Sequence, residues 1–203
     1  MADAAPPLLG LVLAGGRSER LGRDKAAVMI DGRPLLERAV ALLAALLPEV
    51  RVAVRPEQAG DPLRGRFPLV TDAATGIGPA AGILAAHVAT PDAAWLVLAC
   101  DLPGIGSGDL GKLIAARDPA RCATAFRGAR DGRPEPLCAI YEPATLARFQ
   151  RQVAGGGSTS PRALLEACGP VLVGTRAADQ LDSINTGEDL RRLAPAAADR
   201  LKP

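Results

Sequence analysis

Aromatic residues make up only 2% of this 203-residue chain. That scarcity removes the stacking platforms a single-strand nucleic-acid binder needs and leaves aliphatic packing to build the interior. Net charge is scarce too: the formal balance is +2, and no long block of Lys and Arg offers a stripe for a phosphate backbone, so nucleic acid is not an expected partner. The four cysteines, at 100, 122, 138 and 168, form no CxxC pair and no cluster with histidine. Zinc and dithiol redox chemistry are therefore not expected, and the thiols are expected reduced and mostly buried in a cytoplasmic protein. The opening residues, Met1-Ala2-Asp3-Ala4-Ala5-Pro6-Pro7, lack the positive flank of a signal peptide. The longest fully apolar helical run, Ala39 to Leu47, falls well short of the roughly 20 residues of a bilayer span. No membrane role is expected.

What is present is a 48% hydrophobic sequence, long enough for one sizeable core and read as a single domain over 1–203. Apolar runs alternate with amphipathic ones, the pattern of βα units. The expected fold is a single α/β domain with a mostly parallel central sheet and helices on both faces. Strands are expected at Leu8–Ala14, Val50–Val54, Phe67–Thr71, Trp95–Ala99, Ala123–Phe126, Leu137–Tyr141 and Val171–Val173. Prolines 34, 79, 143 and 161 mark helix starts. Ser107 or Asp109 can cap a further helix, a terminal one is expected near Glu188–Leu193, and the tail after Pro195 is expected to fray.

The densest signal is Leu8 to Lys25, where an apolar run breaks into Gly15-Gly16 followed by Arg17, Arg20 and Lys25. A buried strand that ends in two glycines can turn with positive φ and bring bare N–H groups against an anion, and the spaced cations supply countercharge. Neither the P-loop spacing nor the GxGxxG fingerprint is present. The order Leu13-Ala14-Gly15-Gly16-Arg17-Ser18-Glu19-Arg20-Leu21-Gly22-Arg23-Asp24-Lys25-Ala26 instead resembles the LAGGxSxRMGxDKA signature of the molybdenum cofactor guanylyltransferase family, with Leu21 in place of the usual Met. Four more matches follow in family order: Gly78-Pro79-Ala80-Ala81-Gly82-Ile83, Cys100-Asp101-Leu102-Pro103, Glu135 through Tyr141, and Ile184-Asn185-Thr186-Gly187-Glu188-Asp189-Leu190. Together they span nearly the whole chain.

The resemblance implies a single-domain Rossmann-like nucleotidyltransferase fold, transfer of GMP from GTP to the terminal phosphate of molybdopterin with release of pyrophosphate, and product handed to molybdoenzymes or their chaperones. It places Leu13, Ala14, Gly15, Gly16, Lys25, Asp72, Gly78 and Asp101 on the nucleotide, with Lys25 and Arg20 wrapping over the β and γ phosphates. Asp101 is expected at the carboxyl edge of a central strand, where open α/β sheets bind ligands, and one carboxylate beside a triphosphate suits Mg²⁺; a turn or helix-capping role is the alternative. Asn185 is an amide ligand to the same ion by resemblance, or a helix N-cap. Asp72 touches the nucleotide near base and ribose by resemblance, or ends a strand. Residues 76–82 place a helix N-terminus against an anion and also form a tight loop before Pro79. Arg162 and Glu135 fall on the acceptor side by family position; a charge at Glu135 also serves as a strand-edge device. Asp24 and Arg23 are read as structural, and His87, the only histidine, as a surface residue.

An ionised phosphate acceptor needs no general base, which agrees with the lack of any nucleophile triad. The asparagine that the family often carries near the end of the second strand is absent from Arg51-Val52-Ala53-Val54-Arg55, while Gly15 favours a purine over the cytidylyl relatives' bulkier residue. Cytidylyl transfer to the same cofactor, nucleotidyl transfer to a sugar phosphate, and a non-catalytic nucleotide-binding module are the other readings.

Overall fold

The computed structural model describes residues 5–16, 22, 24–72, 74 and 76–199, with side chains as far as 193. Among these the elements in chain order are β1 (Leu8–Leu13), β2 (Met29–Ile30), β3 (Arg33–Pro34), α1 (Leu35–Ala44), β4 (Val50–Val54), β5 (Leu69–Thr71), α2 (Pro79–Ala89), β6 (Ala94–Ala99), α3 (Ser107–Ala115), β7 (Ala123–Arg127), β8 (Pro134–Tyr141), α4 (Pro143–Ala154), α5 (Pro161–Cys168), β9 (Val171–Gly174) and α6 (Gly187–Asp199). Seven strands form one sheet in the order β5-β4-β1-β6-β8-β7-β9. β1 runs parallel to β4 and β6, and β4 parallel to β5, while β8 is antiparallel to both β6 and β7. The chain leaves β1 toward one side of the sheet and returns to its other side at β6. That reversal opens a crevice beyond the carboxyl ends of the middle strands.

Alternation along the strands feeds two cores. On one face Val12, Val52, Leu96 and Leu98 pack under α1 and α3. On the other, Leu11, Ala53, Trp95 and Val97 pack under α2, α4 and α5. β6 lies fourth of seven and all six of its residues are buried, so it reads as a continuous apolar run rather than an alternating one. No helix among the described residues is long and apolar enough to cross a membrane.

A third, smaller cluster was not legible as packing: Val28, Ile30 and Leu35 meet Ile184 and Leu193. It is built on a hairpin, β2–β3, absent from the expected elements. The signal was there. Asp31-Gly32 sits between the two strands with φ of 51° and 74°, the positive pair that a two-residue turn requires and that Asp-Gly favours.

Three expectations are corrected. His87 is 5% exposed, not a surface residue, because α2 is buried nearly all round between the sheet and α4. Burial lowers its pKa, against an opposing pull from Asp92. Cys122 and Cys168 are not free thiols but joined as a disulfide, 46 residues apart in sequence. Parallel pairing of β7 with β9 brings the start of β7 beside the end of α5, a proximity no short spacing rule detects. Gly15 and Gly16 do not adopt positive φ; Gly22, Gly76 and Gly78 do. Among the described residues α6 extends past Pro195 to Asp199, and the rest of the tail lies outside them.

Candidate functional site

The glycine loop leaves β1 at its carboxyl end, where Ala14 N–H still donates to Ala53 O at 3.2 Å. Leu13, Ala14, Gly15 and Gly16 form one wall of a cleft of about 650 Å³. Among the described residues, a side chain on Gly16 would meet nothing within 4 Å, whereas on Gly15 it would rest against Arg55 Cγ at 3.6 Å. The glycines thus serve open approach of the backbone rather than a left-handed turn.

Opposite them stands the start of α2, with Gly78 at φ 59° as its N-cap and Pro79 following. Both line the cleft. Gly82 lets the helix sit close: a methyl group there would meet Ala53 Cβ at 2.8 Å and Leu13 Cδ2 at 3.1 Å. Asp72 follows β5, anchored by its N–H to Val54 O at 3.0 Å, and lines the same cleft while only 9% exposed. Burial raises its pKa, partly offset by Arg55 and reinforced by Glu57.

The floor of the cleft brings together three residues from distant parts of the chain. Lys25 Nζ donates to Asp101 Oδ2 at 2.8 Å and to Asn185 Oδ1 at 2.7 Å. Asp101 follows β6 as expected, and its carbonyl accepts Ile184 N–H at 3.0 Å, which fastens the segment bearing Asn185 to the end of β6. The packing of Ile184 against Val28, Ile30 and Leu35 holds that segment from its other side. Asn185 is not spent on capping α6. Thr186 takes that place, with Asp189 N–H donating to Thr186 Oγ1 at 3.1 Å and Asp189 Oδ2 accepting the N–H of Thr186 and of Asn185 at 2.9 and 3.0 Å. Those bonds hold the Asp189 carboxyl down at about 2, the Asn185 N–H contributing most.

Two hard oxygens already gathered round an ammonium are a donor set that also suits Mg²⁺. No group of three or more His, Cys, Asp or Glu among the described residues could hold a metal by itself, so an ion here would draw its other ligands from phosphate and water.

Glu135 and Arg162 lie together beside the cleft but do not line it; Arg162 Nη2 is 3.4 Å from Glu135 Oε2, and Arg162 Nη1 is 3.4 Å from Asp131 Oδ2. Burial raises the Glu135 pKa, against the Leu137 N–H and Arg162, and the charge of Asp101 adds to the rise. Arg20, with Arg17 and Arg23, lies outside the described residues.

Arg64 was missed. It sits in the short turn Arg64–Arg66 before β5 and is 1% exposed, yet its guanidinium reaches Ala14 O and both oxygens of Asp24. Nothing in Leu63-Arg64-Gly65-Arg66 distinguishes it from a surface arginine. Asp24, read as structural, holds Arg64 and also lines the cleft; burial pushes its pKa up, but Arg64 more than offsets this and the net shift is down. Arg55, read as a departure from the family, lines the cleft and pairs with Glu57 at 2.7 Å.

An open α/β sheet whose glycine loop, lysine and hard oxygens meet at the carboxyl ends of its middle strands defines a nucleotide-binding protein built to hold a phosphate chain. Comparison with known proteins narrows the class. A family profile described as "MobA-like NTP transferase domain" matches residues 10–171. The chain is 40% identical over 146 residues to a molybdenum cofactor biosynthesis bifunctional protein of Synechocystis sp., covering 71% of this chain and 42% of that longer protein. It is 34% identical over 193 residues to a molybdenum cofactor guanylyltransferase of Xanthomonas euvesicatoria pv. vesicatoria, covering 92% and 94% of the two chains. The crystal structure of molybdopterin-guanine dinucleotide biosynthesis protein A from Archaeoglobus fulgidus superposes with a TM-score of 0.75 at 25% identity, covering 94% of this chain and 99% of that one. The chain belongs to the MobA-like NTP transferase family, and it is a nucleotidyltransferase.

Proposed function

We propose that the protein transfers GMP from GTP to the terminal phosphate of molybdopterin in the cytoplasm, releasing pyrophosphate and forming molybdopterin guanine dinucleotide. The observation that carries this reading is the meeting of Lys25 with Asp101 and Asn185 at the base of the glycine-loop cleft. The acceptor is a phosphate monoester whose second pKa is about 6, so it is largely ionised at neutral pH. Its oxygen attacks the α-phosphorus of GTP, the bond from that phosphorus to the bridging oxygen breaks, and pyrophosphate leaves with the electron pair. No base is needed to make the nucleophile.

The work left to the chain is to hold the two groups in line and to neutralise charge. Backbone amides of Gly15 and Gly16 approach the phosphates, and Lys25, joined by Arg20 on the strength of the shared motif alone, follows the charge onto the departing β and γ groups. Asp72 and Gly78 face the base and ribose. Arg162, 3.4 Å from both Glu135 Oε2 and Asp131 Oδ2, is the cation for the acceptor's phosphate. Mg²⁺ held by Asp101 and Asn185 would supply further countercharge at the phosphates. The product passes to molybdoenzymes or their chaperones.

The test is pyrophosphate release by the purified chain with GTP, Mg²⁺ and molybdopterin, in parallel with thermal shifts for GTP, CTP, ATP and UTP. GTP is expected to give the largest shift and to support release only with molybdopterin and the metal. Faster turnover of CTP would replace the guanylyl reading with a cytidylyl one, and turnover with a sugar phosphate would replace the acceptor. A chain that binds nucleotide and never releases pyrophosphate is a binding module.

A further inference from the structure

Arg64 belongs to none of the motifs that define the site, yet all of its guanidinium nitrogens are directed. Nε and Nη2 donate to Ala14 O at 3.3 and 2.9 Å, Nη2 also to Asp24 Oδ1 at 2.8 Å, and Nη1 to Asp24 Oδ2 at 2.7 Å, with Asp61 Oδ1 3.3 Å away. Its two main partners are not arbitrary. Ala14 is the last residue before Gly15, and Asp24 is the residue before Lys25, so one buried side chain grips both feet of the loop that carries the glycines. Asp24 passes the constraint on, because its Oδ1 accepts Ala26 N–H at 3.1 Å and so caps the turn Lys25–Ala27. The orientation of Lys25 over Asp101 and Asn185 thus rests on a fork that a lysine cannot reproduce, since a single ammonium has no planar pair of donors for a carboxylate and a carbonyl at once.

We propose that Arg64 is the positioning residue of the phosphate loop, fixing the separation between the Gly15–Gly16 amides and the Lys25 ammonium for a nucleoside triphosphate. The proposal rests on the reading of Lys25 as a phosphate contact. Arg117 provides a matched control from outside the site: it is bonded to Glu142 Oε1 and Oε2 at 2.7 and 2.9 Å and to Pro6 O at 2.9 Å.

The experiment compares wild type with Arg64→Met, Arg64→Lys and Arg117→Met, each assayed well below its own Tm. One readout needs no turnover. Acetylation of Lys25 by an N-hydroxysuccinimide ester is mapped by mass spectrometry, with the exposed Lys112 as internal reference. In wild type Lys25 is 19% exposed and held by two oxygens, so its reaction is slow. Arg64→Met is expected to raise the Lys25 to Lys112 ratio about fivefold or more and to raise the KM for GTP about tenfold. Arg64→Lys is expected to recover Tm in part without recovering either value. Arg117→Met is expected to lower Tm while leaving both at wild-type levels.

An unchanged lysine ratio and KM in Arg64→Met would overturn the proposal, as would an equal change in Arg117→Met. If Arg64→Met does not fold, Arg64→Lys and Asp24→Asn carry the same comparison, and wild-type values in both refute it. A wild type that releases no pyrophosphate from GTP would sink the functional reading alone. The labelling would still decide whether Arg64 sets the position of Lys25.

Discussion

The two ends of β1 are held by the same device. At the amino end Arg117 joins Pro6 O to the carboxylate of Glu142, which is 3% exposed and N-caps α4. At the carboxyl end Arg64 joins Ala14 O to the carboxylate of Asp24. In each case a guanidinium ties a strand-terminal carbonyl to an acidic residue at the start of a helical turn, and each is a partly or fully desolvated pair whose loss strands a buried charge. What differs is the cargo. The amino-end clamp fastens α4 to the sheet, while the carboxyl-end clamp fastens a loop of glycines and the lysine that follows it. The chemistry of a site is therefore not read from its buried ion pairs but from what those pairs hold still.

The difference can be broken most sharply at Asp101, at the carboxyl end. Asp101→Asn keeps size and one oxygen but loses the charge, and Mg²⁺-dependent pyrophosphate release is expected to fall by roughly a thousandfold with Tm little changed. A variant that turns over normally at low Mg²⁺ would move the ion elsewhere. At the other end Arg117→Met is expected to cost about 3 kcal/mol of stability by leaving Glu142 buried and unpaired. Its kcat and KM should stay at wild-type values; denaturant unfolding beside steady-state kinetics would show a shared loss if the two ends were coupled.

Gly82→Ala probes the packing that brings α2 to the carboxyl end. The added methyl would overlap Ala53, and overpacking of this kind costs on the order of 1–3 kcal/mol. Because α2 carries Gly78 into the cleft, affinity for GTP is expected to drop as well, which calorimetry would measure. An unshifted dissociation constant would separate helix packing from the cleft.

His87 gives the smallest effect, near the far end of α2. Its folded pKa lies below the unfolded value of about 6.5, so between the two the unfolded chain binds the extra proton. Stability contributed by the neutral ring is present above that range and is lost as pH falls through it. Tm is expected to decline below about pH 6.5, less steeply in His87→Gln, with GTP affinity at neutral pH unchanged. Parallel slopes for the two proteins would place the acid sensitivity on another group.

Most strands and helices were legible because their signals are local. An apolar run between turn residues, or a proline at a helix start, carries its meaning within a dozen residues. The positions of Asp101 and Lys25 at the end of their strand and loop were legible for the same reason, since each lies within an ordered motif. The remainder depended on pairing across the sheet. Arg64 meets Ala14 from 50 residues away, Cys122 meets Cys168 only because β7 and β9 are neighbours, and His87 is buried on a helix that packs against the sheet and against a later helix. The corrected φ of Gly15 and Gly16 has a different cause. A glycine pair announces that side chains are unwelcome, but not whether the reason is torsion or space. Asp31-Gly32 was a local signal that went unread.

Asn185 lies 160 residues beyond Lys25, and this distance sets a timetable. A ribosome delivers the glycine loop and Lys25 first, Asp101 midway, and Asn185 only after β7, β8 and β9 have been made. Until the segment bearing Asn185 is made, the second oxygen is missing from the floor of the cleft. In the proposed reaction the floor of the cleft is therefore complete only once that segment has joined Lys25 and Asp101.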